Sequence, residues 1–181
     1  EVAKALTAYR EAGLFGMQAP QDEGGLGLPY TVVSAIGAAF SAANIATNGY
    51  AFLTQAAANL IRETGDEQQK RRYLPAMVEG RWFGTMCLSE PQAGSSLADI
   101  RTIAEPLPDG RYSLRGNKMW ISSGDHEMAE NIVHLVLAKI PGGPAGSKGI
   151  SLFIVPRRHV DADGRAGARN GVRLLGLNHK L

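Results

Sequence analysis

The hydrophobic pattern of this chain changes period near Gly80, and a fold built from one kind of element cannot accommodate that change. Before it, apolar residues recur at helical spacing. Leu6, Tyr9 and Ala12 share a face over residues 1–12, with Gly13 as the stop. Pro20 to Pro29 reads as a loop holding Gly24, Gly25 and Gly27. Pro29 is placed to open a helix over residues 30–47 that carries Val32, Val33, Ile36, Phe40 and Ile45, and residues 50–64 continue it with Phe52, Leu53, Leu60 and Ile61. Asp66 followed by Gln69 has the form of a capping box for a helix running to Tyr73 or Leu74, where Pro75 breaks or kinks it.

From Trp82 onward the signals are short and β-like. Tyr112 and Leu114 alternate with Arg111, Ser113 and Arg115, and Asp109-Gly110 supplies the turn before them. Ile132 to Ala138 and Ile150 to Val155 are nearly continuous apolar runs, the pattern of strands covered on both faces. The Pro141-Gly142-Gly143-Pro144 segment and the Asp161–Gly171 segment read as connecting loops. The fold class expected is therefore α+β. A helical N-terminal domain over residues 1–81 precedes a mainly antiparallel β-barrel or sandwich over residues 82–181.

Composition narrows the function. The 181 residues, 44% hydrophobic and 20% charged, are enough for a real core, and a formal charge of +2 with no basic run interleaved with aromatics speaks against nucleic acid. No continuous apolar run approaches the ~20 residues of a bilayer span, and no signal-peptide pattern is present. The expectation is a cytoplasmic protein that does not engage a membrane. Cys87, the single cysteine, excludes an internal disulfide and reads as a small buried hydrophobe. The chain lacks an initiator Met, opens inside an apparent helix and stops at Asn178-His179-Lys180-Leu181, so it reads as an internal piece of a longer protein.

Two segments could carry chemistry. In Met86-Cys87-Leu88-Ser89-Glu90-Pro91-Gln92-Ala93-Gly94-Ser95 a strand loses its ladder at Pro91, and the turn at Ala93-Gly94-Ser95 frees backbone N–H groups beside the hydroxyls of Ser89, Ser95 and Ser96. Such a cradle suits carbonyl or anionic oxygens; taken alone the segment reads more readily as a polar turn closing a hairpin. In Lys118-Met119-Trp120-Ile121-Ser122-Ser123-Gly124 an indole followed by hydroxyls at a strand end can cover an aromatic ring and bond its edge. Alone, it is a core Trp before a Ser turn. His126-Glu127-Met128-Ala129-Glu130 lacks the second His of a zinc helix, and His134 within an apolar strand reads as a hydrogen-bonded core residue.

Together and in this order the two segments resemble the acyl-CoA dehydrogenase family. Glu23-Gly24-Gly25-Leu26-Gly27, Gly65-Asp66-Glu67-Gln68-Gln69-Lys70, Tyr73-Leu74-Pro75 and Lys148-Gly149-Ile150-Ser151-Leu152-Phe153-Ile154-Val155-Pro156 extend the likeness almost end to end. Met86 to Gln92, Glu130 to Ala138 and Arg169-Asn170-Gly171-Val172 look most like the 3-methylmercaptopropionyl-CoA dehydrogenase-like subgroup.

The resemblance implies a helical domain, a middle β-domain and a C-terminal four-helix bundle that this chain lacks, with FAD between the last two. It implies oxidation of acyl-CoA thioesters to 2-enoyl-CoA: an α-proton goes to a Glu of the bundle, a β-hydride goes to flavin N5, and electrons pass on to an electron-transfer flavoprotein. The whole protein would be a homo-dimer or homo-tetramer. By position, Met86, Cys87, Leu88, Ser89, Gly94 and Ser95 line the flavin, with Ser89 near its N1/O2 edge. Trp120, Ile121 and Ser122 lie at the ring, with Ser122 near N5, and Ser95 also meets the pantetheine of the substrate.

The sequence departs from the family at Ser89 and Ser122, where Thr is frequent, at Gln92 for Gly, which narrows the substrate path, and at Ser96 for Asp, which removes a charge. Glu90 reads as a residue that holds its turn rather than as the base. An acyl-CoA oxidase or flavin monooxygenase on the same fold, a flavin-containing DNA-associated relative of the alkylation-response kind, and a binding module without cofactor remain alternatives.

Overall fold

A computed structural model describes residues 1–177; the terminal Asn178–Leu181 stretch and its expected uncapped end lie outside the described residues. The helical half consists of α1 (Val2–Glu11), α2 (Tyr30–Thr64) and α3 (Glu67–Val78). Gly13 ends α1 in the left-handed region at φ 71°. Both arms of the capping box form at α3: Asp66 Oδ1 accepts from Gln69 N at 2.8 Å and Gln69 Oε1 accepts from Asp66 N at 2.9 Å.

Two helical expectations shift. The long helix breaks at Asn44 (φ −162°, ψ 98°) rather than after residue 47, because the Asn44 side chain accepts the Thr47 N–H at 2.8 Å and so starts the second half as an N-cap. Pro75 does not end α3; the helix runs on to Val78, held by the burial of Leu74, Ala76, Met77 and Val78.

The sheet half contains β1 (Trp82–Cys87), β2 (Ile103–Pro106), β3 (Tyr112–Arg115), β4 (Asn131–Lys139), β5 (Ile150–Pro156), β6 (Arg158–Val160) and β7 (Ala166–Arg169). β4 is the centre and is buried along almost its whole length, as its unbroken apolar run implies. β1 pairs with it in parallel, from Trp82 opposite Asn131 to Cys87 opposite Val136, and β5 pairs antiparallel on its other edge. β2 joins in parallel where Ile103 faces Lys139, and β3 returns antiparallel beside β2. The sheet is thus mixed, and among the described residues it does not close into a barrel. Among the described residues β5 has one strand neighbour and is only partly covered, with Leu152 exposed, so its apolar run does not mark a strand buried on both faces. β6 and β7 form a separate hairpin inside what reads as a loop, turned at Gly164 with φ 77°.

The two halves share a core. β1 is an edge strand, and α2 covers that edge: Gly84 N donates to Thr54 Oγ1 at 3.0 Å. Trp82 packs with Ala57, Ile61, Tyr73 and Met77, while Phe83 packs with Leu6, Tyr9, Phe15 and Ala51. These contacts fix β1, and hence the segment that leaves it, against the helices.

Candidate functional site: two segments joined at the end of the parallel pair

The first segment leaves the sheet at a gap. β1 stops opposite Val136 and β2 begins opposite Lys139 on the same edge of β4, since β5 occupies the other edge. Residues 88–102 loop out and return through that gap. Glu90 and Ala93 exchange both backbone hydrogen bonds, at 2.7 and 3.0 Å, closing a turn with Pro91 and Gln92 at its tip. Beyond it Gly94, Ser95 and Ser96 are exposed, and their N–H groups find no acceptor among the described residues.

Glu90 organises the loop. Its carboxylate is 5% exposed and takes five donors: Gln92 Nε2 (2.7 Å), Arg101 N (2.6 Å), Thr102 N (3.1 Å), Thr102 Oγ1 (2.5 Å) and Lys118 Nζ (2.8 Å). Burial alone would push this carboxyl up. The bonds from Lys118, Thr102 and the two backbone groups more than offset it and hold the carboxyl at about 2. A carboxylate so saturated has no lone pair to offer a substrate proton, which fits a holding role and not that of a base. Gln92 is bound back onto Glu90 and, at 3.4 Å, onto Asp99 O, which ties its side chain to the turn. Ser96 Oγ donates to Asp99 Oδ2 at 2.6 Å, so a carboxylate stands three residues beyond the position where one is missing.

The second segment crosses the first. Met119 N donates to Ser89 O at 2.9 Å and Lys118 Nζ donates to Leu88 O at 3.1 Å, beside its ion pair with Glu90. The chain can pass this closely because residue 116 is glycine: a Cβ there would lie 2.2 Å from Thr102 Oγ1 and 2.8 Å from Thr102 Cα. The indole is not at a strand end as expected, because β3 stops at Arg115 and residues 116–130 form no strand. Trp120 sits instead in the left-handed region (φ 62°) and is 66% exposed, and Ser123 follows at φ 58°. Each such residue costs roughly 1 kcal/mol or more and persists only where its surroundings impose it.

The sequence-derived site residues therefore occupy distinct environments. Ser89, Gly94, Ser95, Trp120, Ile121 and Ser122 are exposed or half-buried around the crossing, and the hydroxyls of Ser89, Ser95 and Ser122 have no partner among the described residues. Leu88 is half-buried beside Lys118, and Met86 is the one exposed residue of β1. Cys87 is buried, its Sγ 3.5 Å from Thr85 Oγ1. Burial pushes its thiol up, as for the small hydrophobe expected. The face is open and not a closed pocket. A cavity of about 520 Å³ lies at the opposite ends of β1 and β4 and is lined by Arg81, Trp82, Glu130 and the β6–β7 hairpin.

Lys118 and Thr102 are missed by reading the sequence, although Lys118 stands two residues before the Trp. Arg157 is missed as well: it is 2% exposed and binds Asp125 at 3.0 Å. Asp125 also takes Arg169 at 2.8 Å; burial would raise its carboxyl, and the two guanidinium groups hold it below the usual carboxylate range. On β4, opposite Thr85 of β1, His134 has its Nδ1 2.7 Å from Thr85 Oγ1, and burial pushes this imidazole down to about 4, as for a core histidine.

Residues 2–81 match the model of the acyl-CoA dehydrogenase N-terminal domain, and residues 85–178 match that of the middle domain. The chain belongs to the acyl-CoA dehydrogenase family. It is 41% identical over 178 residues to 3-methylmercaptopropionyl-CoA dehydrogenase of Ruegeria pomeroyi, covering 97% of this chain and 30% of that relative. Among solved structures, an acyl-CoA dehydrogenase complexed with FAD from Bacillus anthracis is 31% identical with a TM-score of 0.70, covering 85% of this chain and 25% of that one. A structure described as the electron transferring flavoprotein of Acidaminococcus fermentans is 30% identical with a TM-score of 0.73, covering 84% and 39%. This family chain thus spans under a third of the length of its Ruegeria relative.

Proposed function

We propose that this chain is the helical and middle part of an FAD-dependent acyl-CoA dehydrogenase, and that the crossing of Ser89 and Met119 is its flavin-binding face. The observation that carries the reading is the bond from Met119 N to Ser89 O. It brings two segments 30 residues apart into one surface that offers free hydroxyls, free N–H groups and a strained, exposed indole. Those donors fit a flat, polar, partly anionic group. Ser89 and the N–H groups of Gly94 and Ser95 would hold the ring edge and its anionic side, Ser122 would bond the ring near N5, and Trp120 would cover it. When bound, FAD supplies the acceptor for the hydride that leaves the β-carbon of an acyl-CoA thioester.

This chain's own residues bind and orient. Glu90, ionised and fully hydrogen-bonded, keeps Lys118 in place and with it the spacing of the two segments. The α-proton base is a Glu supplied by a C-terminal domain outside this chain, and an electron-transfer flavoprotein is the electron acceptor.

The test uses the full-length protein. It should retain FAD on purification, its flavin absorbance should bleach when acyl-CoA is added without oxygen, and an electron-transfer flavoprotein should restore the colour faster than air does. Protein that stays colourless with added FAD would refute the flavin face. Rapid recovery in air with none from the flavoprotein would make it an oxidase.

A further inference from the structure

We propose that Arg157, Asp125 and Arg169 form a clasp that positions the Trp120–Ser122 segment against the flavin; the inference rests on the flavin reading above. Residues 116–130 make no ladder hydrogen bonds and hold two residues in the left-handed region, so the conformation must be imposed from outside. At one end Lys118 and Met119 tie it to Leu88, Ser89 and Glu90.

At the other end the hold comes from Arg157, the residue between β5 and β6, and from Arg169. Arg157 Nη1 donates to Asp125 Oδ1 at 3.0 Å and to His126 O, and Nη2 donates to Ala129 O at 3.2 Å. Arg169, on β7, donates to the other carboxylate oxygen of Asp125 at 2.8 Å. Both oxygens of Asp125 are therefore engaged by guanidinium groups, one from Arg157 just before the hairpin and one from Arg169 within it.

Arg157 is itself anchored through its backbone. Its N–H donates to Ile132 O at 2.7 Å and its carbonyl accepts from Asn170 N at 2.8 Å. A guanidinium 2% exposed carries a large desolvation cost, which only several well-placed acceptors offset. Here those acceptors all belong to residues 125–129, which begin two residues after Ser123. The planar fork of arginine reaches a carboxylate and two carbonyls at once, which a lysine ammonium on a flexible stem does less well. Asp125 stands two residues from Ser123 and five from Trp120, so the clasp sets the direction in which the chain leaves its two strained residues.

The test compares full-length wild type with Asp125→Asn and Arg169→Ala, which leave the buried Arg157 in place, and with Arg157→Lys. Three quantities are read: FAD affinity, quenching of flavin fluorescence by the indole, and the rate at which acyl-CoA bleaches the flavin. The clasp predicts weaker quenching and bleaching slowed on the order of tenfold in Asp125→Asn, in line with the cost of misplacing a reacting group, at near wild-type FAD affinity. In a Trp120→Ala, Ser122→Ala background the same substitution should slow bleaching no further, because the groups it positions are gone. A purely structural role would give the same loss in both backgrounds and would overturn the inference. So would variants matching wild type in quenching and rate. Wild-type protein that takes up no FAD overturns the flavin reading itself, an outcome distinct from FAD-bound wild type that its Asp125→Asn variant equals.

Discussion

Glu90 and Ser122 show how differently two residues of one surface are used. Glu90 is spent entirely on holding the loop, whereas the Ser122 hydroxyl has no partner among the described residues. Ser122→Ala should therefore slow bleaching of the flavin by acyl-CoA more than it weakens FAD binding; equal effects in stopped-flow and titration, or none, would remove Ser122 from its assigned place.

Two buried groups predict the acid behaviour. Glu90 titrates lower in the folded chain, at about 2, than its ordinary 4.5, so its stabilisation is complete above 4.5 and is lost as pH falls toward 2. His134 is held neutral down to about 4 against an ordinary 6.5, so stability is lost earlier, as pH falls from 6.5 toward 4. Each window is worth on the order of 3 kcal/mol. Denaturant unfolding across pH should show Glu90→Gln flattening the lower window and His134→Gln the upper one. A variant whose profile parallels wild type would contradict the corresponding assignment.

The decisive contact between elements is α2 against the edge of β1. It rests on Gly84, where an added Cβ would lie 2.6 Å from Ala57 Cβ, 3.1 Å from Met77 Cε and 3.2 Å from Thr54 Cα. A side chain there must push the helix from the strand that delivers Met86 to Ser89. Gly84→Val should cost about 1–3 kcal/mol by overpacking, read as a lower denaturation midpoint. No change would mean that α2 is free to shift. α2 also qualifies the sequence reading on membranes. It is 35 residues long and contains an 18-residue window of mean hydropathy 1.3, the length and composition of a possible span. Alanines and scattered apolar residues raise that mean without making a continuous run, and its second half packs on β1 and α3 through Ala57, Ala58 and Ile61.

For the molecule as a whole, several large apolar side chains are exposed. Tyr30, Ile45 and Phe52 on α2 are 74%, 70% and 64% exposed, and Trp120 stands free at the candidate face. Residues 1–181 expressed alone should bind an environment-sensitive hydrophobic dye strongly, take up little FAD and show no dehydrogenase activity, whereas the full-length protein should reverse all three. Full activity from the isolated chain would place the base within it, and Glu90 is too fully bonded to be that base.

Element type was legible because local period and local capping encode it. The helices, the Asp66–Gln69 box, the Asp109-Gly110 turn and the buried run of β4 all follow from residues a few positions apart. The Asn44 cap and the β6–β7 turn had local signals too, an Asn before a helical run and Asp163-Gly164, which the apolar pattern overrode. What only the tertiary structure decided is which surfaces meet. The parallel pairing of β1 with β4, the passage of Met119 over Ser89 and the grip of Arg157 on Asp125 join residues roughly 30 to 50 positions apart. Hydrophobic period states which face of an element is buried and is silent about its partner. Pairing is settled by the global fit of core and hydrogen bonds, and it is this fit that turns two ordinary polar turns into one site.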